Sequence, residues 1–145
     1  MLERRVDGRL EAALARAEAR YYPLVEQPLA ITYTEALDSG RVISVSPQVE
    51  TILGYTQEEW LNNPRLWVDL LHPPDRDRVV EACELANRAR QPFRAEYRMI
   101  TKDCRVVRIR DEAVLIRGSH EQPLCWHGVM LDISGGQTKP KDLEA

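Results

Sequence analysis

Trp126-His127-Gly128-Val129-Met130-Leu131-Asp132-Ile133-Ser134-Gly135 is the stretch from which the fold is read. An apolar run enters Asp-Ile-Ser and halts at Gly135-Gly136. That pattern reads as a terminal core strand whose last residues hand the chain on to something else. Two further strand-like runs precede it, over residues 93–101 and 105–117, and the last strand itself covers residues 123–133.

Working back from these strands, residues 75–90 read as a longer helix with Val79, Val80, Cys83, Leu85 and Ala86 as candidate buried positions. Asp75 and Asp77 fall in its first turn, favourable near the positive end of the helix dipole. Three short helical pieces come before it. Residues 48–53 stop at Gly54, a candidate left-handed cap. Thr56 precedes Glu59 by three residues, a capping-box spacing that starts a turn carrying Trp60 and Leu61. Leu66, Trp67, Leu70 and Leu71 share one face of the third piece. Residues 29–36 and 41–46 read as two strands joined through the turn signal Asp38-Ser39-Gly40. The order is that of an α+β domain with a five-stranded antiparallel sheet over residues 29–134, short helices and one longer helix.

Residues 2–21 carry Leu2, Val6, Leu10, Ala13, Leu14, Ala17 and Tyr21 at three- and four-residue steps. This predicts an amphipathic amino-terminal helix with a thin, alanine-rich stripe that needs a surface to lie against, and Pro23 and Pro28 bracket a connector that completes residues 1–28. Residues 135–145, rich in glycine, lysine and proline, read as a flexible tail.

At 145 residues the chain suffices for one domain with its own core. The net charge of −3 leaves no basic field for nucleic acid. Cys83, Cys104 and Cys125 are widely spaced, which reads as free thiols in a reducing cytoplasm. No apolar run approaches the ~20 residues of a membrane span, so direct membrane insertion is not expected.

Four segments stand in a fixed order: Ser46-Pro47, Leu53-Gly54-Tyr55, His72-Pro73-Pro74-Asp75-Arg76 and Asp132-Ile133-Ser134. Together they resemble a PAS domain of the type found beside bacterial histidine kinases and cyclic-dinucleotide enzymes. The resemblance spans about residues 29–134. It departs at Lys102-Asp103-Cys104-Arg105, where the family usually has Asp-Gly: Cys104 carries a steric cost in such a turn, so either the loop relaxes into another turn or the residue sits under mild strain. It departs again at Gly135-Gly136 and Pro140, which disfavour the charged helix that normally leads to an output domain. Transfer through the amino-terminal helix is the alternative.

The resemblance places a small pocket between the inner sheet face and the longer helix. It sets Met130 inward, and alternation then puts Gly128, Trp126 and Leu124 on the same face, with Cys125, His127, Val129 and Leu131 outward. In the third strand Phe93, Ala95, Tyr97 and Met99 form the inward set. Tyr97, Met99, Trp126, Met130 and Cys83 are the ligand-pocket candidates, although such residues also simply fill cores. Residues 75–90 contain no histidine, which argues against haem, and no Asn-Cys-Arg-Phe-Leu-like run marks a flavin light sensor. Apolar Val129 and Leu131 on the outward face call for a cover: residues 2–21, a second subunit, or both. Leu10, Leu14, Val129, Leu131 and Asp132 are therefore the dimer and coupling candidates. Asp132 either pairs with Arg108, Arg110 or Arg117 or stands as an exposed strand-end carboxylate.

His72, His120 and His127 are the only histidines, and none sits in a nucleophile, phosphate-loop, metal-ligand or cyclase motif. Adjacent Glu58 and Glu59 point apart on a helix and form no acid–base pair. The expectation is a non-catalytic, cytoplasmic sensory and interaction module of bacterial signal transduction. It would act as a homodimer beside a kinase or cyclic-dinucleotide output domain, as in two-component signalling. A ligand sensor dominated by its pocket is the first alternative, and a small-molecule enzyme on a PAS-like scaffold the second.

Overall fold

A computed structural model describes residues 29–134. Strands β1 (Ala30–Ala36) and β2 (Val42–Val45) form a hairpin, followed by helices α1 (Gln48–Leu53), α2 (Gln57–Asn62), α3 (Leu66–Leu70) and α4 (Pro73–Ala89). Strands β3 (Phe93–Ile100), β4 (Val106–Arg117) and β5 (Pro123–Asp132) then form an antiparallel meander. The sheet order is β2-β1-β5-β4-β3, so the last strand returns to the centre and pairs antiparallel with the first. Central position explains the sequence that opened the reading: every residue from Cys125 to Met130 is buried, on both faces of the sheet. The predicted amino-terminal helix and carboxy-terminal tail lie outside the described residues.

Local rules account for the helices. The Thr56 hydroxyl accepts from the Glu59 amide and the Glu59 carboxylate accepts from the Thr56 amide, the reciprocal cap that the spacing predicts. Gly54 closes α1 at φ +88, and a Cβ there would stand 2.9 Å from Lys102 Cβ. The Lys102 amide meanwhile donates to the Leu53 carbonyl, which ties the β3–β4 hairpin to α1. Helix α4 begins two residues before the predicted start, because Pro73 and Pro74 occupy the first turn, where a missing N–H costs nothing. Leu85, expected in the core, is half exposed instead.

The start of α4 is clamped to β3. Asp75 is buried, and its Oδ2 accepts from the backbone amide and Nε of Arg98 at 2.9 and 3.0 Å. Its Oδ1 accepts from an Arg98 terminal nitrogen at 2.8 Å. This fork holds the Asp75 carboxyl well below the usual carboxylate range. Arg76 donates to the Asp69 and Leu71 carbonyls, satisfying the end of α3. The Pro-Asp-Arg run is thus a structural joint between α3, α4 and β3.

A β-bulge between Ile116 and Arg117 corrects one face assignment. Leu124 lies beside it and packs with Ile116, Cys125 and Val114 in a small separate cluster, not with Met130. The outward set is also drier than alternation alone implies. Cys125, His127 and Val129 are buried within the single chain, and His127 Nδ1 lies 3.2 Å from the Thr34 hydroxyl.

All three hairpins close on a left-handed residue: Gly40, Cys104 and Glu121. In the second, the Cys104 amide donates to the Thr101 carbonyl and the Thr101 amide to the Arg105 carbonyl, a three-residue loop whose last position favours glycine. Cys104 holds φ +66 there, the strained one of the two outcomes that the sequence leaves open. Glycine in its place should relieve roughly 1 kcal/mol. Cys104→Gly is expected to raise the thermal midpoint by a few degrees, and Cys104→Ala to leave it nearly unchanged. Calorimetry of the two variants checks this, and equal midpoints for both would contradict the strain.

Candidate functional site

Register builds the inner sheet face in rows. Ile31, Met130, Asp111 and Ala95 align across β1, β5, β4 and β3; Tyr33, Gly128, Ala113 and Phe93 form the next row; Glu35, Trp126 and Leu115 the third. An acid therefore occupies the middle of an apolar face. Asp111 is fully buried, and two phenols meet it: Tyr33 Oη donates to Oδ1 and Tyr97 Oη donates to Oδ2, each at 2.6 Å. Trp67 Nε1 donates in turn to Tyr97 Oη at 3.0 Å, its ring edge-on to the tyrosine at 5.9 Å.

Gly128 makes this arrangement possible. Tyr33 lies across β5 to reach Asp111, and a Cβ on Gly128 would collide with its phenol ring. Burial raises the Asp111 carboxyl to about 6, against the lowering effect of the two hydroxyl donors. The Tyr33 and Tyr97 hydroxyls are pushed well above their ordinary value by burial and then by the Asp111 charge. They stay protonated and donate.

Glu35 stands two rows from Asp111, beyond Tyr33, and has no hydrogen bond or ion pair among the described residues. Burial, and then the charge of Asp111, raises its carboxyl to about 7. On the helix side Asn87 Oδ1 accepts from Trp126 Nε1 at 3.0 Å, joining α4 to β5. Cys83 lies on the same helix, its thiol pushed up to about 12 by burial and by Glu35 and Asp111. Such a thiol is no nucleophile near neutral pH.

Between these walls is a cavity of about 340 Å³. Tyr33, Trp60, Trp67, Phe93 and Trp126 supply its aromatic surface, and Glu35, Asp111 and Glu84 its acids. Among the described residues no lysine, arginine or histidine lines it. Ser39 and Gly40 of the first hairpin, exposed together with Glu84 and Pro64, form its rim.

Of the residues singled out from the sequence, Trp126, Met130 and Cys83 line this cavity. Tyr97 stands behind Asp111, and Met99 is fully buried away from the cavity, opposite Val107 and Leu71. Asp111, Glu35, Tyr33, Trp67 and Asn87 were missed. The signal for Asp111 was present: Val107, Ile109, Asp111, Ala113 and Leu115 alternate through β4, so the acid sits in the apolar phase. Asp132 does not pair with an arginine. It accepts from the Ser134 amide, while Arg108 and Arg110 turn to Glu96 and Arg117 to the Glu121 carbonyl. The edge strand offers a carboxylate closer to both arginines. Leu10 and Leu14 lie outside the described residues, Val129 is buried and Leu131 half-buried.

The family profile described as the PAS fold matches residues 42–130. The chain belongs to the PAS family. The N-terminal domain of a diguanylate cyclase with PAS/PAC sensor from Marinobacter aquaeolei superposes with a TM-score of 0.67 at 28% identity, over 74% of this chain and 98% of that one. A sensory box histidine kinase/response regulator from Burkholderia thailandensis shares the fold with a TM-score of 0.63 at 22% identity, covering 86% and 92%. By sequence, a methyl sulfide methyltransferase-associated sensor of Methanosarcina acetivorans is 36% identical over 84 residues, 57% of this chain and 8% of that protein. An aryl hydrocarbon receptor nuclear translocator homolog of Drosophila melanogaster is 29% identical over 75 residues, 52% of this chain and 11% of that protein. The PAS domain thus spans only a small part of either curated relative. These relatives make it a sensor domain of signalling proteins. Among the described residues no helix is long and apolar enough to cross a membrane.

The buried acids set the direction of the pH response. Glu35 is raised to about 7 and Asp111 to about 6, so each stabilises the fold at low pH and loses that contribution as pH rises through its folded value. Asp75 works oppositely, its contribution being lost only as pH falls into the acid range. The thermal midpoint is expected to decline between about pH 5 and 7.5, and Glu35→Gln to flatten that decline. A pH series of melting curves measures it; identical slopes in the two proteins would contradict the account.

Proposed function

We propose that this PAS domain is a non-catalytic sensor whose inner cavity takes a small ligand, with occupancy changing how the domain packs on a partner. The 340 Å³ cavity is the observation that carries the reading. A PAS core could be filled by its own side chains; here the space remains open among residues that carry hydrogen-bonding groups and charge. The volume falls within the roughly 300–1,000 Å³ of ligand pockets.

Two connections would carry occupancy outward. Trp126 joins the cavity wall to α4 through Asn87, and the same strand runs on to Leu131 and Asp132, where the chain leaves the sheet. Tyr33 joins the cavity to β1. A ligand that displaces either side chain would shift β5 relative to its neighbours. The receiving element is an output domain of the kinase or cyclic-dinucleotide type, in a cytoplasmic homodimer to which residues 1–28 and the outer sheet face contribute. The names of the relatives with PAS sensors beside such enzymes favour this output.

Native mass spectrometry of the purified chain tests both parts. The expected spectrum is a dimer that releases a defined extra mass on gentle activation. A clean monomer at micromolar concentration would overturn the dimer, and a dimer with an empty cavity under all growth conditions would overturn the ligand.

A further inference from the structure

The cavity is one-sided in its chemistry. Three carboxylates reach it, from Glu35 on β1, Asp111 on β4 and Glu84 on α4, and no basic side chain among the described residues lines it. Several of the domain's basic side chains are engaged elsewhere: Arg98 and Arg78 at Asp75, Arg94 at Glu112, Arg108 and Arg110 at Glu96, Lys102 at Glu59. Asp111 already has donors on both oxygens. Glu35, half-buried, has none among the described residues. Five aromatic rings surround the same space.

We propose that the cavity selects a small organic cation, a protonated amine or quaternary ammonium, with Glu35 facing its charge and the aromatic lining its apolar groups. The inference rests on the ligand-sensing reading above and names the chemistry of that ligand. An anion would meet three carboxylates and no counter-charge. A neutral apolar molecule would seal the Glu35 carboxylate away from water without a partner, an unfavourable burial. A hard metal ion needs six or more oxygen ligands at close range, whereas Asp111 is committed to two phenols and the rest of the wall is mostly carbon. A cation with an apolar body matches every wall: the ring faces attract positive charge, and Glu35 gains a partner that the described residues do not provide.

Binding is linked to pH. The titratable or charged groups facing Glu35 are Asp111 and Tyr33 from the sheet and Cys83 and Glu84 from α4, with Tyr97 and Glu112 behind Asp111; none is cationic. A bound cation favours the ionised carboxylate, so affinity rises as pH is raised through the range in which Glu35 loses its proton.

Isothermal titration of the full 145-residue chain with choline, tetramethylammonium and phenethylamine tests the proposal, each set against an uncharged isostere such as 3,3-dimethylbutan-1-ol for choline. At least one cation is expected to bind about tenfold or more tightly than its isostere. Glu35→Gln should abolish that preference without lowering the melting temperature, and Glu112→Gln, on the outer face, should preserve it. Isosteres that bind as tightly as the cations would overturn the cation inference and leave the ligand sensor intact. So would silence of the whole panel alongside a copurified neutral or anionic mass. Silence of the panel with no copurified mass of any kind would overturn both readings.

Discussion

A carboxylate held between two tyrosines organises the inner face of this domain. Asp111 receives Tyr33 from β1 and Tyr97 from β3, so one side chain on β4 fastens strands on both sides of it. The bonds have consequences in every direction. Tyr33 can cross the sheet only because residue 128 is glycine. Tyr97 in turn accepts from Trp67 and thereby fixes α3. A buried acid is costly to desolvate, and here two donors offset part of that cost. The result is a polar centre in what would otherwise be a closed hydrophobic core, and the open volume lies beside it.

The other joints keep that centre accessible. The Asp75–Arg98 fork anchors the start of α4 to β3, and the Trp126–Asn87 bond anchors its later turns to β5. Fixed at both places, the helix cannot settle freely into the sheet to close the space. Lys102 contributes at the far end by bonding the Leu53 carbonyl and the Glu59 carboxylate, which holds α1 and α2 to the β3–β4 hairpin. The cavity is therefore a product of spacing enforced by polar contacts.

Much of this was legible in the chain. Alternation and turn residues gave the five strands, the capping box gave α2, and Gly54 marked the end of α1, because each depends on residues close together in sequence. The central role of β5 was legible too, in its unbroken burial-prone run. What escaped was long-range. Asp111 and Glu35 read as ordinary strand acids until register set them beside Tyr33 and Trp126, 78 positions separating Asp111 from Tyr33. Which of its two readings Asp132 takes was undecided for the same reason: Glu96, on the edge strand, takes Arg108 and Arg110. The bulge at Ile116 moved Leu124 off its expected face, a shift that strict alternation does not anticipate.

Two inner-face carboxylates are kept proton-rich by burial, one clasped by phenols and one without a partner among the described residues. A carbon-13 NMR titration of the labelled aspartate and glutamate carboxyl groups reads them directly. Glu35 should titrate at about 7 and Asp111 at about 6. Both titrating at the ordinary carboxylate value of about 4 would mean that water reaches the inner face freely, and the acid-lined cavity sheltered from water would have to be abandoned.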